Sequence, residues 1–170
     1  MIMIYEKILA ALEKNDIRYL VIGGLAVWLH GYDRATKDLD LMVSFEKDNM
    51  DKFIKIVKSL GLKPRVPVEP DELADKNKRE FWKNEKNMKV FSFYNPENDT
   101  EIIDIMIQDY IDFEEAYKSK NLVEFRGLGI KIKVISIDNL IKLKEIAGRS
   151  TDKIDIEKLR KVQEIKNEKQ

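Results

Sequence analysis

Two aspartates one residue apart, Asp38 and Asp40, alternate with Leu39 and Leu41. In a strand, whose side chains repeat every second residue, both carboxylates fall on one face and both leucines on the other. Aspartate is disfavoured in strands, and two like charges on one face repel unless a cation lies between them. Hard divalent cations take oxygen ligands, so the pair suits Mg2+, with Mn2+ as the alternative. Upstream, the apolar run at 19–22 leads into Gly23-Gly24. The glycines permit a tight turn, and residues 25–29 can open a helix whose free N–H groups face back toward it, a ready anion site. A third carboxylate, Asp104, stands between Ile102, Ile103 and Ile105. On a strand that is apolar on both faces, an unpaired carboxylate needs a cation, a metal or a proton. A phosphate cradle beside paired carboxylates is the minimum equipment for metal-dependent chemistry on a nucleoside triphosphate. The plainer readings are a solvated strand face for Asp38 and Asp40 and a structural lysine pair for Asp104.

With these residues the chain resembles the nucleotidyltransferase superfamily of the DNA polymerase β-type fold. That family's pattern is a glycine pair after a strand, Asp-x-Asp on the next strand and a third Asp on a later one; Gly23, Gly24, Asp38, Asp40 and Asp104 stand at those places. The string from His30-Gly31 through Arg34, Thr36 and Asp38 to Asp40 is similar to small stand-alone prokaryotic members, including those related to abortive-infection AbiEii proteins. The closing segment at 140–159 is similar to the same subgroup, whose pattern there reads Gly-Arg-x-Lys-Asp; this chain has Gly148, Arg149 and Asp152 but Thr151 at the lysine position. The resemblance implies Asp38, Asp40 and Asp104 as metal-binding and catalytic residues and Gly23-Gly24 as the phosphate turn. It also implies Asp104 as general base toward an acceptor hydroxyl.

Other side chains carry two readings each. Arg34 could take a phosphate by paired hydrogen bonds or be a surface arginine, and Thr36 shares the Asp38 and Asp40 face by period two. His30, next to Gly31, reads as a helix-end packing residue. Lys144 falls in the middle of the apolar arc of Ile137, Leu140 and Ile141, and Asp155 shares an arc with Leu159 and Val162. A lysine on a buried face needs an anion, so Lys144 pairs with Asp155, reaches a nucleotide phosphate, or does both. Lys76, Lys78, Arg79, Lys83, Lys86 and Lys89 surround Phe81 and Trp82, a run that reads as a solvated helix face or a hold on an acceptor such as RNA.

The elements that position these residues follow from periodicity. Helices are expected at 3–14, 25–29, 46–60, 112–119, 136–148 and 152–165, and strands at 19–22, 39–43, 88–94, 101–107, 122–125 and 130–135. Pro64, Pro67 and Pro70 make the next stretch loop or edge strand, the Lys-rich segment 71–87 follows, and Gly127-Leu128-Gly129 turns a late hairpin. Helices interleaved with strands give an α/β (α+β) domain spanning 1–170, one central mixed sheet flanked by helices, with helices 136–166 packed on the core.

Composition narrows the chemistry. Basic and acidic residues balance at 31 each, so no global field draws the protein to nucleic acid or membrane. There is no cysteine and one histidine, so a metal site must be built from carboxylates. The N-terminal stretch reads as an amphipathic helix, not a signal peptide, and the expected location is cytoplasmic. The expected function is Mg2+-dependent transfer of a nucleoside monophosphate from an NTP to a hydroxyl on a protein, a tRNA end or a small molecule. A metal-dependent nucleotide-sugar glycosyltransferase and a non-catalytic partner in a toxin–antitoxin pair are the rivals.

Overall fold

A computed structural model of the chain describes residues 4–125 and 128–168. Its frame is a seven-stranded mixed sheet. The strands are β1 (Tyr19–Ile22), β2 (Leu39–Val43), β3 (Lys63–Pro64), β4 (Val90–Asn95), β5 (Asn98–Met106), β6 (Asn121–Phe125) and β7 (Ile130–Val134). They lie in the order β3-β4-β5-β2-β1-β7-β6. The β2–β5 and β1–β7 pairs are parallel and the rest antiparallel. The helices are α1 (Ile4–Lys14), α2 (Gly23–Leu29), α3 (Lys47–Ser59), α4 (Lys76–Glu85), α5 (Phe113–Lys118), α6 (Ile137–Ala147) and α7 (Ser150–Glu168). The expected mixed sheet with flanking helices is what the chain forms.

The central strands explain themselves. All four residues of β1 are buried, and on β2 the leucines Leu39 and Leu41 are fully buried while Asp40 keeps a small exposed part toward the cleft. That is the alternation of a strand covered by apolar groups on one face and open to a cleft on the other. One continuous apolar core joins α1 (Ile8, Leu9, Leu12), α3 (Met50, Phe53, Val57) and the inner strands. Within it the Phe91 ring packs between those of Phe93 and Trp82, tilted against both.

Helix ends follow local chemistry. Ser136 caps α6 by accepting from Asn139 N–H, and Gly148, at φ 65, closes it in the left-handed conformation a glycine adopts at least cost. Asp112 caps α5 in the same manner as Ser136 caps α6.

Several boundaries differ from expectation. The helix after β1 starts at Gly23 itself, not Leu25, because Gly23 takes φ +66 and lets helix follow strand with no intervening loop. The segment 71–87 holds two regular pieces: a 3-10 turn (Pro70–Ala74) and α4, which Asp75 caps from its side chain to Asn77 and Lys78. Its few apolar residues hide the helix: Trp82 and Arg79 are buried, with the Arg79 guanidinium donating to the Leu73 carbonyl over the Phe45 ring, while Lys76 and Lys78 face water. The strand expected at 101–107 starts earlier, at Asn98, and α7 runs from Ser150 to Glu168. Gly127 of the expected hairpin turn and Met3 of the expected first helix lie outside the described residues; β6 and β7 pair antiparallel on either side of the turn. Among the described residues no helix is long and apolar enough to cross a membrane.

Candidate active site

The parallel pairing of β2 with β5 sets Asp40 directly opposite Asp104. Because the sheet register fixes which face each residue takes, both carboxylates enter the same cleft, and Asp38 joins them from the segment leading into β2. The cleft has a volume of about 650 Å3. Its floor is the Gly23-Gly24 turn and the carboxylates, and one wall is the α6–α7 hairpin bearing Lys144 and Arg149.

The glycines are required by what lies against them. A Cβ at Gly23 would overlap the Asp40 carboxylate, and one at Gly24 would come within 2.5 Å of Arg34 Nη1 and 2.9 Å of Thr36 Oγ1. The Gly24 backbone N–H donates to Asp40, so this amide serves the carboxylate. Asp104 accepts a 2.5 Å hydrogen bond from the Ser92 hydroxyl, across the β4–β5 pair.

Electrostatics follow from packing three anions together. Burial pushes Asp40 up to about 7, with the charges of Asp104 and Asp38 adding to it and Arg149 and the Gly24 N–H opposing. Burial also raises Asp104, against the Ser92 hydrogen bond, with Asp38 raising it further. Tyr5 is raised by burial first and then by the nearby Asp38, Glu101 and Asp104. Like charges in a poorly solvated site favour protons or a bound cation. Among the described residues, no group of three or more His, Cys, Asp or Glu side chains stands close enough to hold a metal ion as placed. Two of the carboxylates are held by protein donors, Asp40 by the Gly24 N–H and Asp104 by the Ser92 hydroxyl. The donor chemistry, oxygen only with excess negative charge, fits a hard dication.

The cationic wall is a chain of alternating charges. Lys144 is buried, with its ammonium 2.7 Å from Asp155 Oδ2 and 3.3 Å from Asp152 Oδ1. Arg34 Nε lies 2.9 Å from both Asp155 oxygens, and Arg149 Nε lies 2.8 Å from Asp152 Oδ2. Lys144 thus has the Asp155 partner while also lining the cleft. Arg34 is held by Asp155 and by the Ala35 carbonyl, so it is no free surface arginine. Thr36 donates to the Asp38 carbonyl and shapes the segment that delivers Asp38.

Arg149 and Ser92 carry weight in this cleft that residue patterns did not give them. The signal for Arg149 was present, since Gly148 ends α6 and places the next residue at the cleft mouth; for Ser92, facing Asp104 across an antiparallel pair, only the register reveals it. His30 is buried, with Nε2 donating 2.7 Å to the Ile135 carbonyl, and burial lowers its pKa; it packs and does not face the cleft. On α4, Lys83 pairs with Glu80 and Asp109, and the Lys86 ammonium lies 5.6 Å from the centre of the exposed Phe81 ring. Of that basic run, Lys89 alone reaches the cleft.

No protein-family model matches the sequence, and the curated proteins contain no match to it. Solved structures do match by backbone. A Thermotoga maritima protein assigned as a nucleotidyltransferase is 18% identical, with a TM-score of 0.54 over 97% of this chain and 91% of that one. ANT(2")-Ia, solved with adenylyl-2"-tobramycin, is 16% identical at a TM-score of 0.58, over 94% of this chain and 91% of that one. The lincosamide antibiotic adenylyltransferase LnuA, solved with lincomycin bound, is 19% identical at 0.57, over 91% and 93%. The paired carboxylates of β2 and β5 therefore stand in a chain that has the nucleotidyltransferase fold.

Proposed function

We propose that this protein is a metal-dependent nucleotidyltransferase that moves a nucleoside monophosphate from an NTP to an acceptor hydroxyl. The observation that carries the reading is the register of β2 on β5, which sets Asp40 beside Asp104 in a cleft walled by Arg34, Lys144 and Arg149. A third carboxylate on a separate strand favours nucleotidyl transfer over nucleotide-sugar transfer, which needs only the Asp-x-Asp pair. Asp38, Asp40 and Asp104 would hold Mg2+ or Mn2+, which when bound supplies charge neutralisation at the phosphates and lowers the pKa of a coordinated hydroxyl.

The chain's own groups divide the remaining work. Gly23 and Gly24 make room on the cleft floor for the Asp40 carboxylate and for Arg34 and Thr36, so those groups, and no Cβ, lie over the turn. Arg149 and Lys144 offer positive charge along the triphosphate, and Arg34 and Asp155 keep Lys144 in place. The acceptor oxygen attacks the α-phosphorus, the bond to the bridging oxygen breaks, and pyrophosphate leaves with that electron pair. The hydroxyl proton passes to Asp104, which burial makes a stronger proton acceptor than an ordinary carboxylate. Positioning and charge supply most of the acceleration. The neighbours ANT(2")-Ia, solved with adenylyl-2"-tobramycin, and LnuA, solved with lincomycin, support a small-molecule acceptor; a protein hydroxyl and a tRNA end are the alternatives.

Incubation with each α-labelled NTP, Mg2+ and cell extract tests the reading. Label is expected on one acceptor class, with pyrophosphate released, and neither in Asp40→Asn. Nucleotide binding with no label on any acceptor would instead favour the non-catalytic partner of a toxin–antitoxin pair.

A further inference from the structure

Asp38 precedes β2 and has no strand to fix it, so its place relative to Asp104 depends on local anchors. The β2–β5 ladder begins at Leu39 opposite Ile103. Just beyond that rung stands the side chain of Tyr5, from the first turns of α1. Its hydroxyl donates to the Lys37 carbonyl and accepts from the Ile102 N–H at 3.1 Å. Lys37 is the residue before Asp38, and Ile102 lies two residues before Asp104. One phenol oxygen therefore bridges the two carboxylate-bearing segments where their main-chain pairing has stopped. The helix that delivers it is fastened at the same point, since Ile4 N–H donates to Glu101 Oε1 at 3.3 Å and Asn95 Nδ2 donates to Glu101 Oε2 at 2.6 Å.

We infer that Tyr5 is a positioning residue that sets the spacing between Asp38 and Asp104 through its hydroxyl, and thereby the affinity of the site for a divalent cation. The inference rests on the proposed reading of these carboxylates as metal ligands. The ring alone can fill the space that Tyr5 occupies, but only the hydroxyl joins the two segments. Without it the Lys37 carbonyl and the Ile102 N–H lose their shared partner, and the segment carrying Asp38 keeps Thr36 as its nearby anchor. Groups that orient metal ligands without touching the metal typically account for about 10–100-fold in metal affinity.

The test titrates the full chain with Mn2+ alone, reading free Mn2+ by electron paramagnetic resonance. The wild type is compared with Tyr5→Phe and with Ile8→Val, which loosens the same helix in the core without touching the bridge. Tyr5→Phe is expected to bind Mn2+ about tenfold more weakly or worse while its circular dichroism stays native. Its kcat should fall while the KM for NTP stays within about twofold, the pattern of misplaced ligands and intact substrate contacts. Ile8→Val should melt earlier yet keep wild-type Mn2+ affinity. Wild-type affinity in Tyr5→Phe overturns the inference and leaves the nucleotidyl-transfer reading standing. An equal loss in Ile8→Val also overturns it, because helix stability then explains the effect. Failure of the wild type to bind Mn2+ overturns both.

Discussion

The charge chain Arg34–Asp155–Lys144–Asp152–Arg149 makes an asymmetric prediction. Asp155 holds two cations at once, Lys144 at 2.7 Å and Arg34 at 2.9 Å. Asp155→Asn keeps the shape but leaves buried Lys144 with only Asp152, 3.3 Å away and shared with Arg149. Removing one partner of a buried ion pair costs about 3–5 kcal/mol, and the remaining Asp152 contact keeps the loss toward the lower figure. Lys144→Met removes the central cation instead, yet Asp155 keeps Arg34 and Asp152 keeps Arg149. Both carboxylates stay paired, so the cost should be about 1–2 kcal/mol, the scale of one replaced hydrogen-bonded group. The double variant should fall close to Asp155→Asn alone or above it, because it removes the stranded charge. Urea denaturation at pH 7 followed by circular dichroism separates these values. Lys144→Met costing as much as Asp155→Asn would refute the claim that the arginines share the load. If Lys144 also serves phosphate, Lys144→Met should weaken NTP binding well beyond its modest loss of stability.

Three other outcomes follow from the site. Asp40 has a raised pKa, so its contribution to stability is full below the unfolded value near 4 and is lost as pH rises through about 7. Asp152, despite its burial, is held low by the Arg149 hydrogen bond and by the charges of Lys144 and Arg149, so its contribution is present above the unfolded value and lost in acid. Metal-free protein should therefore lose stability as pH rises from about 4 to about 7; melting curves should show that decline, which Asp40→Asn removes and Mg2+ reverses. Gly23→Ala should lose at least about 1 kcal/mol from its positive φ alone; the new Cβ also displaces Asp40, so a variant of wild-type stability and activity would contradict the packing. Ser92→Ala deletes a bond that lowers the Asp104 pKa, so the acidic limb of the pH–rate profile should move to higher pH; an unmoved limb would mean Asp104 is not the group titrating.

Much of this site can be read from residue order because its geometry is local. The Asp38–Asp40 spacing fixes a face, and the isoleucines around Asp104 mark a central strand. What joins Asp40 to Asp104 is the β2–β5 register, and no local pattern encodes a pairing between segments so far apart in the chain. Lys144 betrayed itself by standing in an apolar arc, which demanded an anion. Arg34 gave no such sign, because its partner lies 121 residues away on α7. The helix α4 is hidden for a different reason: its buried residues are Trp82 and the charged Arg79, too little for a 3.6-residue apolar period to emerge. A glycine pair after a strand signals a turn, and only the backbone shows that Gly23, in its left-handed conformation, is also the first residue of α2.

The α6–α7 hairpin has a consequence for how activity is lost on warming. The two helices contact each other most closely, α6 also reaches α2, and the Arg34–Asp155 pair ties α7 back to the segment before β2. Exposed Ile146, Ile154 and Ile165 show how much of the hairpin's apolar surface stays uncovered. Units with few buried contacts to the rest open at lower free energy than the global transition. When this one opens it carries Lys144 and Arg149 away together, leaving β2 and β5 intact with three carboxylates facing water. Function should therefore fail some degrees below the melting of the sheet, with amide exchange in α7 faster than in β2 and β5 throughout. Equal protection of the two regions would show instead that the wall and the sheet unfold as one.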